Sequence, residues 1–139
     1  MRLPIKEAIG LHAFLYRATG GMVGRRIPGL PPMLLLDHVG AKSAKRRTTP
    51  LVYLEDGDDI VIVASKGGSP RHPAWFHNLK ANPETTVQVG TRKIPVRARV
   101  ANKEERRRLW PKVVDLYSGY ADYQARTKRE IPLVILKPR

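Results

Sequence analysis

The 139-residue chain contains no cysteine and few aromatic residues, with Phe, Trp and Tyr making up 6% of it. The lack of cysteine excludes disulfide bonds, thiolate nucleophiles and cysteine-bound metals. No apolar run approaches the roughly 20 residues that a membrane-spanning helix needs. Acidic residues are also scarce, with 12 Asp and Glu against 26 Lys and Arg. The resulting formal charge of +14 favours an anionic partner: a nucleic acid, an anionic lipid surface or an acidic small molecule.

Motifs for self-contained catalysis are missing as well. The four histidines (His12, His38, His72 and His77) have no metal-ligand spacing with one another or with a carboxylate, so we expect no metal site. There is no Gly-x-Ser-x-Gly nucleophile motif and no carboxylate in an evident acid–base setting. If the protein is an enzyme, a bound cofactor should therefore supply the difficult chemistry.

We expect a single domain over residues 1–139, starting with an amphipathic helix within residues 1–24. Such a helix can dock on its own domain or, in a strongly basic protein, lie on an anionic membrane surface. Charges at Arg2 and Lys6 interrupt the core that a signal peptide needs. We therefore expect a cytoplasmic protein, with peripheral contact at the inner face of the plasma membrane as the alternative location.

Short strands outnumber helices and are mostly joined by hairpins. The predicted strands are Met33–Val39, Leu51–Leu54, Ile60–Ala64, Thr85–Val89, Ile94–Ala101 and Leu133–Leu136. The predicted helices are Ala74–Lys80, Lys103–Tyr117 with a kink or a break at Pro111, and Tyr120–Lys128. This pattern predicts an α+β protein, with an antiparallel barrel or sandwich and helices at its edges.

The stretch between the first two strands is strongly basic. It reads Ala41-Lys-Ser-Ala-Lys-Arg-Arg-Thr-Thr-Pro50, and Gly40 and Pro50 bound it as a hairpin loop. Lys42, Lys45, Arg46 and Arg47 repel one another if the loop is tightly held. An anion among these charges, such as the acidic tail of a cofactor, would relieve the repulsion.

A second candidate site follows the third strand, where Ser65-Lys66-Gly67-Gly68 ends the apolar run. Adjacent glycines permit positive φ, so successive backbone N–H groups can point inward and bind a phosphate, a carboxylate or the polar edge of a ring. A plain hairpin exit explains the same residues equally well. Tyr117, Tyr120 and Tyr123 are three residues apart and would share a helical face. Tyrosines in this pattern more often pack than react, although they can also cap a flat, partly apolar substrate.

Taken in order, these segments resemble the deazaflavin-dependent nitroreductase family, whose cofactor is coenzyme F420. The resemblance runs from about Met33 to the C-terminus. Its motifs are Gly40-x-Lys42-Ser43-x-Lys45-x-Arg47-x-x-Pro50-Leu51, Ala64-Ser65-x-Gly67-Gly68, Pro73-x-Trp75-Phe76-x-Asn78-Leu79-x-Ala81-Asn82-Pro83, Trp110-Pro111, Tyr117-x-x-Tyr120-x-x-Tyr123 and Arg129-x-Ile131-Pro132.

The resemblance implies a split β-barrel of mostly antiparallel strands with flanking helices, present as a monomer or a homodimer. It implies hydride transfer from reduced F420 (F420H2) to a hydrophobic acceptor such as an enone, a quinone or a nitroaromatic. F420 carries a phosphodiester and several glutamates, which suits the basic loop. The implied cofactor residues are Lys42, Lys45, Arg47, Pro50, Ser65, Lys66, Gly67, Gly68, Trp75 and Asn78. Tyr117, Tyr120 and Tyr123 would bind the substrate, with Tyr120 orienting it or relaying a proton and Ser65 contacting ring or substrate.

Two other classes of function remain open from the residues. A basic barrel could bind nucleic acid through Lys42–Arg47 together with Arg97 and Arg99. The low aromatic content argues against this, because the strands offer no platform on which bases could stack, so we expect no nucleic-acid partner. The protein could also carry F420 without turning it over.

Overall fold

A computed structural model describes residues 31–139 of the chain. The amphipathic helix predicted within residues 1–24, and with it the membrane alternative, lies outside the described residues. In residues 31–139, no helix is both long and apolar enough to cross a membrane.

The described residues form a closed antiparallel β-barrel with three helices, as the α+β prediction required. The strands are β1 (Met33–Val39), β2 (Arg46–Asp56), β3 (Asp59–Val63), β4 (Glu84–Val89), β5 (Arg92–Val100) and β6 (Leu133–Pro138). The helices are α1 (Ala74–Ala81), α2 (Lys103–Leu116) and α3 (Gly119–Ala125). The order around the barrel is β1-β2-β3-β6-β5-β4, and β4 closes it by pairing Val87 with Leu36 of β1.

Asp56-Gly57 and Gly90-Thr91 are turn sequences that predict hairpins, and both hairpins are confirmed. Gly57 turns β2 into β3 with a φ of 61°, and Gly90 turns β4 into β5 with a φ of 63°. Both turns need a left-handed residue, a conformation that glycine adopts without a steric penalty.

β3 from Ile60 to Val63 and β6 from Leu133 to Leu136 are apolar because both of their faces are covered. Alternate side chains such as Ile62 and Leu136 point into the barrel, whereas Val61 and Ile135 point outward. The outward set packs against the helices through Leu109, Val113 and Tyr120, all of which are buried. α2 and α3 are thereby held against the outer face of β3 and β6.

Several local predictions need correction. Of the kink or break predicted at Pro111, the break does not occur, since α2 continues through this residue. The carbonyl of Arg107 loses its helical partner there, but Arg107 is exposed and water can replace that partner. The basic hairpin loop is shorter than expected, because β2 already begins at Arg46. The alternation of Val96, Ala98 and Val100 with Arg97 and Arg99 predicts that Val100 lies on the buried face of β5, but Val100 is 43% exposed. Asn102 with Glu105 three residues later has the spacing of a capping box, and the structure confirms one at the start of α2.

Candidate active site

Strand direction brings the two sequence-predicted loops to the same end of the barrel. β1 and β3 both pair antiparallel to β2, so they run the same way and end, at Val39 and Val63, on the same side. The loop over residues 40–45 follows β1, and the turn over residues 65–69 follows β3. α1 comes directly after that turn and packs against β1, which links the two segments.

The loop over residues 40–45 is closed by its own backbone. The N–H of Gly40 donates to the carbonyl of Lys45, and the N–H of Ala44 donates to the carbonyl of Gly40, both at 2.9 Å. A Cβ at Gly40 would contact Oγ of Ser43, so the Ser43 side chain would have to rotate away.

The cations of this segment lack carboxylate partners. Lys42 and Lys45 in the loop, and Arg46 and Arg47 at the start of β2, are all exposed. In the described part of the chain, none of the four forms an ion pair. A cluster of one sign is thus held in place without internal compensation, as an anion-binding surface requires.

The turn after β3 is left-handed over three consecutive residues. Lys66, Gly67 and Gly68 have φ values of 46°, 62° and 81°. The N–H of Gly68 donates to the carbonyl of Ser65 at 3.0 Å, whereas the N–H groups of Lys66 and Gly67 donate to no other described residue. Two adjacent amides are therefore available to bind a polar edge, one of the two interpretations that the sequence left open.

Gly68 also allows α3 to approach the turn. A Cβ at Gly68 would lie 2.6 Å from the carbonyl oxygen of Tyr123, which is backbone and cannot move aside. This close contact places the tyrosines of α3 beside the turn.

Arg129 holds the turn from behind, a role that the sequence analysis missed. Its guanidinium donates to the carbonyls of Ser69 (2.8 Å), Ala64 (3.2 Å) and Ser65 (2.7 Å) and to Nδ1 of His72 (3.0 Å). No described carboxylate pairs with it, and burial lowers its pKa. Arg129 thus fixes the carbonyl side of the turn and leaves a positive charge beneath it.

The three tyrosines form one cluster, although not along one helix. Tyr117 caps the end of α2 in an extended conformation, and Tyr120 and Tyr123 belong to α3. The ring centroids of Tyr117 and Tyr120 are 5.0 Å apart, and those of Tyr120 and Tyr123 are 6.2 Å apart. The break between the helices therefore brings the rings together, which the three-residue spacing predicted for a different reason.

The three tyrosine hydroxyls differ in their hydrogen bonding. Those of Tyr117 and Tyr123 lie 3.1 Å apart and bond to each other. Tyr120 is 6% exposed, and its hydroxyl has no hydrogen-bond partner among residues 31–139. Burial raises the pKa of Tyr120, so the phenol stays protonated. A buried donor without a partner is unusual in a folded protein and suits a site that a ligand completes.

The other predicted cofactor residues are largely buried. Trp75 is 6% exposed and packs in the barrel core, and Asn78 is 7% exposed. Ser65 is 8% exposed, and Pro50 is half-buried opposite Leu35 in the β1–β2 pair. The loop cations and Lys66, in contrast, are exposed.

A basic cavity of about 470 Å³ lies between the turn and α1. Lys66, Arg71, His72 and His77 line it, together with Pro70 and Ala74. Burial and the neighbouring Arg129 charge lower the pKa of His72, which keeps its Nδ1 available as an acceptor. No group of three or more potential metal ligands occurs in residues 31–139.

The closed barrel, the uncompensated basic loop and the left-handed turn define a class: split-barrel proteins that bind an acidic, flavin-like cofactor. The family model for F420H(2)-dependent quinone reductases matches residues 9–138. The chain belongs to this family, and it is an oxidoreductase that uses reduced F420 to reduce a hydrophobic electrophilic acceptor.

The chain is also similar to individual members. An F420H(2)-dependent quinone reductase of Mycobacterium tuberculosis is 47% identical over 136 residues, which cover 96% of this chain and 91% of that protein. The solved structure of the F420-H2 dependent reductase FDR-A matches with a TM-score of 0.71 at 44% identity, covering 76% of this chain and 94% of that one. A second solved structure, a domain-swapped dimer, matches with a TM-score of 0.73 at 38% identity over 96% of both chains. These findings confirm the predicted family, fold and cofactor.

The residues present fit F420. The cofactor is acidic, and the four cations of the 40–47 segment lack carboxylate partners among the described residues. The two available amides of the turn suit the polar edge of a deazaflavin ring.

Proposed function

We propose that the loop cations and the left-handed turn hold reduced F420, and that the tyrosine cluster holds a quinone as the hydride acceptor. The observation that carries this proposal is the uncompensated charge of Lys42, Lys45 and Arg47 at the same barrel end as the turn. The names of the family and of the Mycobacterium tuberculosis relative support a quinone acceptor.

Lys42, Lys45 and Arg47 would bind the phosphodiester and the glutamate tail through charge-assisted hydrogen bonds. The amides of Lys66 and Gly67 would bind the polar edge of the ring, and the backbone of Ser65 and Gly68 would keep those amides in place. When bound, reduced F420 supplies the hydride. The protein must orient the acceptor, exclude water and stabilise the charge that develops on the acceptor oxygen.

Tyr120 is our candidate for the last of these roles. Its protonated hydroxyl can donate a hydrogen bond to a quinone oxygen, and no described residue competes for it. The raised pKa makes Tyr120 a weak acid, so we assign it to orientation and hydrogen bonding, with water as the proton source. The Tyr117–Tyr123 hydroxyl pair would fix the neighbouring rings and so shape the acceptor pocket.

Trp75, Asn78 and Pro50 would support the cofactor from behind. Trp75 anchors α1 in the barrel core, and both polar ends of the Asn78 side chain already have protein partners. Pro50 faces β1 within the barrel wall. Their substitution should therefore weaken F420 binding by displacing α1 or the loop.

The proposal is tested by fluorescence titration of the protein with F420, FMN and single-stranded DNA at physiological salt. We expect submicromolar binding of F420 alone, followed by oxidation of F420H2 when a quinone is added. Comparable dissociation constants for F420 and FMN would contradict the cofactor assignment. Tight F420 binding without turnover on any quinone would instead identify a carrier.

Membrane contact and assembly are further proposals about this protein. Membrane contact rests on the basic, amphipathic pattern within residues 1–24. If it occurs, deletion of residues 1–20 should abolish sedimentation with anionic vesicles and leave F420 binding intact. Loss of folding or of F420 binding would assign these residues to the domain.

The assembly is a monomer or a homodimer, which light scattering distinguishes, and the domain-swapped neighbour makes a swapped dimer a specific outcome to look for.

A further inference from the structure

We propose that His38 is a positioning residue for the cofactor loop: neutral His38 holds Asn78, Asn78 holds Ala41, and protonation of His38 releases the loop. The inference rests on the proposed function, because it concerns the loop that would bind the F420 tail. His38 lies on β1 and is 5% exposed.

The orientation of the Asn78 amide follows from its neighbour. The N–H of Ala41 donates to Oδ1 of Asn78 at 3.0 Å. A backbone N–H can only donate, so the atom facing it must be the amide oxygen. The amide nitrogen then faces the other way, towards Nδ1 of His38 at 3.0 Å.

This orientation fixes the state of His38. The Asn78 amide nitrogen donates, so Nδ1 of His38 must carry a lone pair and accept. The proton of the neutral ring then sits on Nε2, which lies 2.9 Å from Oγ1 of Thr49 and donates to it. One neutral tautomer satisfies all three residues.

The chain of bonds ends on a hydrogen bond that joins the loop to α1. Within the described part of the chain, the bond from Ala41 to Asn78 is the one hydrogen bond that joins residues 41–45 to an element other than the flanking strands. The remaining bonds of these residues lie inside the loop. The position of Lys42 and Lys45 relative to α1 therefore depends on the Asn78 amide.

Protonation of His38 would place two donors against each other. Nδ1 would carry a hydrogen and face the amide nitrogen of Asn78. Rotating the amide by half a turn would satisfy His38, but it would turn the amide nitrogen towards the N–H of Ala41. The unrotated amide would leave a buried donor at His38 without an acceptor, and the rotated amide would turn two donors towards each other at Ala41. The rotated arrangement breaks the loop tether, and the unrotated one destabilises the pair that holds it.

The surroundings of His38 favour the neutral form. Arg47, the cross-strand neighbour of His38 on β2, disfavours a positive charge on the imidazole, whereas Asp37 on β1 favours it. The α1 residue that contacts His38 is the neutral Asn78. His38 also lines a cavity of about 550 Å³, together with Glu84 and Arg139, whose charges are of opposite sign. Burial, and then Arg47, lower the pKa of His38 below its ordinary value of 6.5, and Asp37 offsets this only in part. The tether should therefore be intact at neutral pH and should break in acid, below pH 6.5.

The first measurement is amide hydrogen exchange at Ala41 in the protein without cofactor, expressed as a protection factor to remove the intrinsic effect of pH. We expect protection at pH 7.5 and at least a tenfold loss at pH 5. In His38→Asn, the side-chain oxygen replaces Nδ1 as acceptor and cannot titrate, so protection should persist at pH 5. In His77→Asn, which changes an exposed histidine on α1, the acid-dependent loss should remain.

The second measurement is F420 affinity over the same pH range. The wild-type protein should lose affinity in acid by about the same factor as Ala41 loses protection, and His38→Asn should lose less. Unchanged Ala41 protection in the wild type at pH 5 would overturn the inference. A pH-dependent tether without any effect on F420 affinity would leave the switch standing and would contradict the assignment of the loop to the cofactor.

A second variant covers the case in which His38→Asn does not fold. In Asn78→Asp, one carboxylate oxygen accepts from Ala41 and the other accepts from a protonated His38. The tether should then survive at pH 5, reversing the wild-type behaviour. Loss of Ala41 protection in acid in this variant would also overturn the inference.

Discussion

At the scale of single residues, Tyr120 combines two properties that rarely occur together. It is buried in the cluster that joins the helices to the barrel, and its hydroxyl has no partner among residues 31–139. A buried hydroxyl without a hydrogen bond destabilises the folded state by about 1–3 kcal/mol. The proposed role in ligand binding would explain why a phenylalanine is not present instead.

Tyr120→Phe should therefore separate stability from activity. The variant keeps the ring and removes only the hydroxyl, so its free energy of unfolding should equal or exceed that of the wild type, by up to about 1 kcal/mol. Turnover of F420H2 with a quinone should fall about tenfold, because one hydrogen bond to the acceptor is lost. Urea denaturation and steady-state rates measure the two effects.

Tyr123→Phe is the matched comparison. It removes a hydroxyl that bonds to Tyr117, so it should lower stability by about 1 kcal/mol. Wild-type rates of Tyr120→Phe on every quinone would leave Tyr120 with a packing role only.

The backbone of Lys66 is strained. It adopts a φ of 46°, in the region that disfavours residues with a Cβ by about 1–2 kcal/mol. At an ordinary position, alanine is more stable than glycine by about 0.5–1 kcal/mol. At position 66 the order should reverse, with Lys66→Gly more stable than Lys66→Ala.

F420 affinity provides the functional half of that prediction. Both Lys66 variants should bind F420 more weakly than the wild type, since both lose the exposed charge beside the available amides. Equal F420 affinity in all three proteins would remove Lys66 from the site, whatever the stabilities.

At the scale of elements, the turn over residues 65–69 depends on a residue some sixty positions away. Arg129 precedes β6 and binds three carbonyls of the Ala64–Ser69 segment. The turn and the start of β6 are thus joined by one side chain in addition to the β3–β6 pairing.

Arg129→Lys should loosen this connection. A lysine ammonium cannot reach all the acceptors that the planar guanidinium reaches, so at least one charge-assisted bond should be lost, at about 1.5–3 kcal/mol each. We expect a loss of stability of about 2 kcal/mol, measured by urea denaturation, together with weaker F420 binding. Arg97→Lys, which changes an exposed arginine paired with Glu84, should change stability by less than 1 kcal/mol. Similar effects of the two substitutions would contradict the role of Arg129.

Local sequence signals predicted the elements but not the contacts between them. The strands follow from runs of β-branched residues, and the hairpins follow from glycine turns such as Asp56-Gly57. The Arg129 clamp and the His38–Asn78 bond join residues far apart in sequence, so no local pattern reveals them. The sequence is limited in the same way for Trp75. Its motif marked it as important, but only the structure shows that it lies in the core.

At the scale of the whole molecule, the charge of +14 is too general to identify a partner, whereas its placement is informative. Exposed cations such as Arg99 and Arg108 pair with Glu105 and Asp56. The cations of the 40–47 segment have no such partners among the described residues. The net charge raises the encounter rate with any anion, and this one segment should determine which anion stays bound.

Comparison of two lysines tests that distinction. Lys42 lies in the loop at one end of the barrel, and Lys137 lies near the β2–β3 turn at the other end. Lys42→Ala and Lys137→Ala remove the same charge, so any effect of net charge alone is equal in both. Lys42→Ala should weaken F420 binding about ten- to a hundredfold, as expected for one charge-assisted contact of about 1.5–3 kcal/mol, and Lys137→Ala should have little effect.

The dependence on the ligand and on salt makes this test specific for the acidic tail. The loss caused by Lys42→Ala, and by Arg47→Ala, should grow with the number of glutamates on F420, because each added carboxylate increases the attraction that the variant lacks. The loss should shrink as salt rises, since the Debye length falls from about 10 Å at 0.1 M to about 3 Å at 1 M. Fluorescence titration with F420 of defined tail lengths at two salt concentrations measures both trends. A loss independent of tail length and salt would assign these cations to the ring or to the fold, and equal losses for Lys42→Ala and Lys137→Ala would mean that only net charge matters.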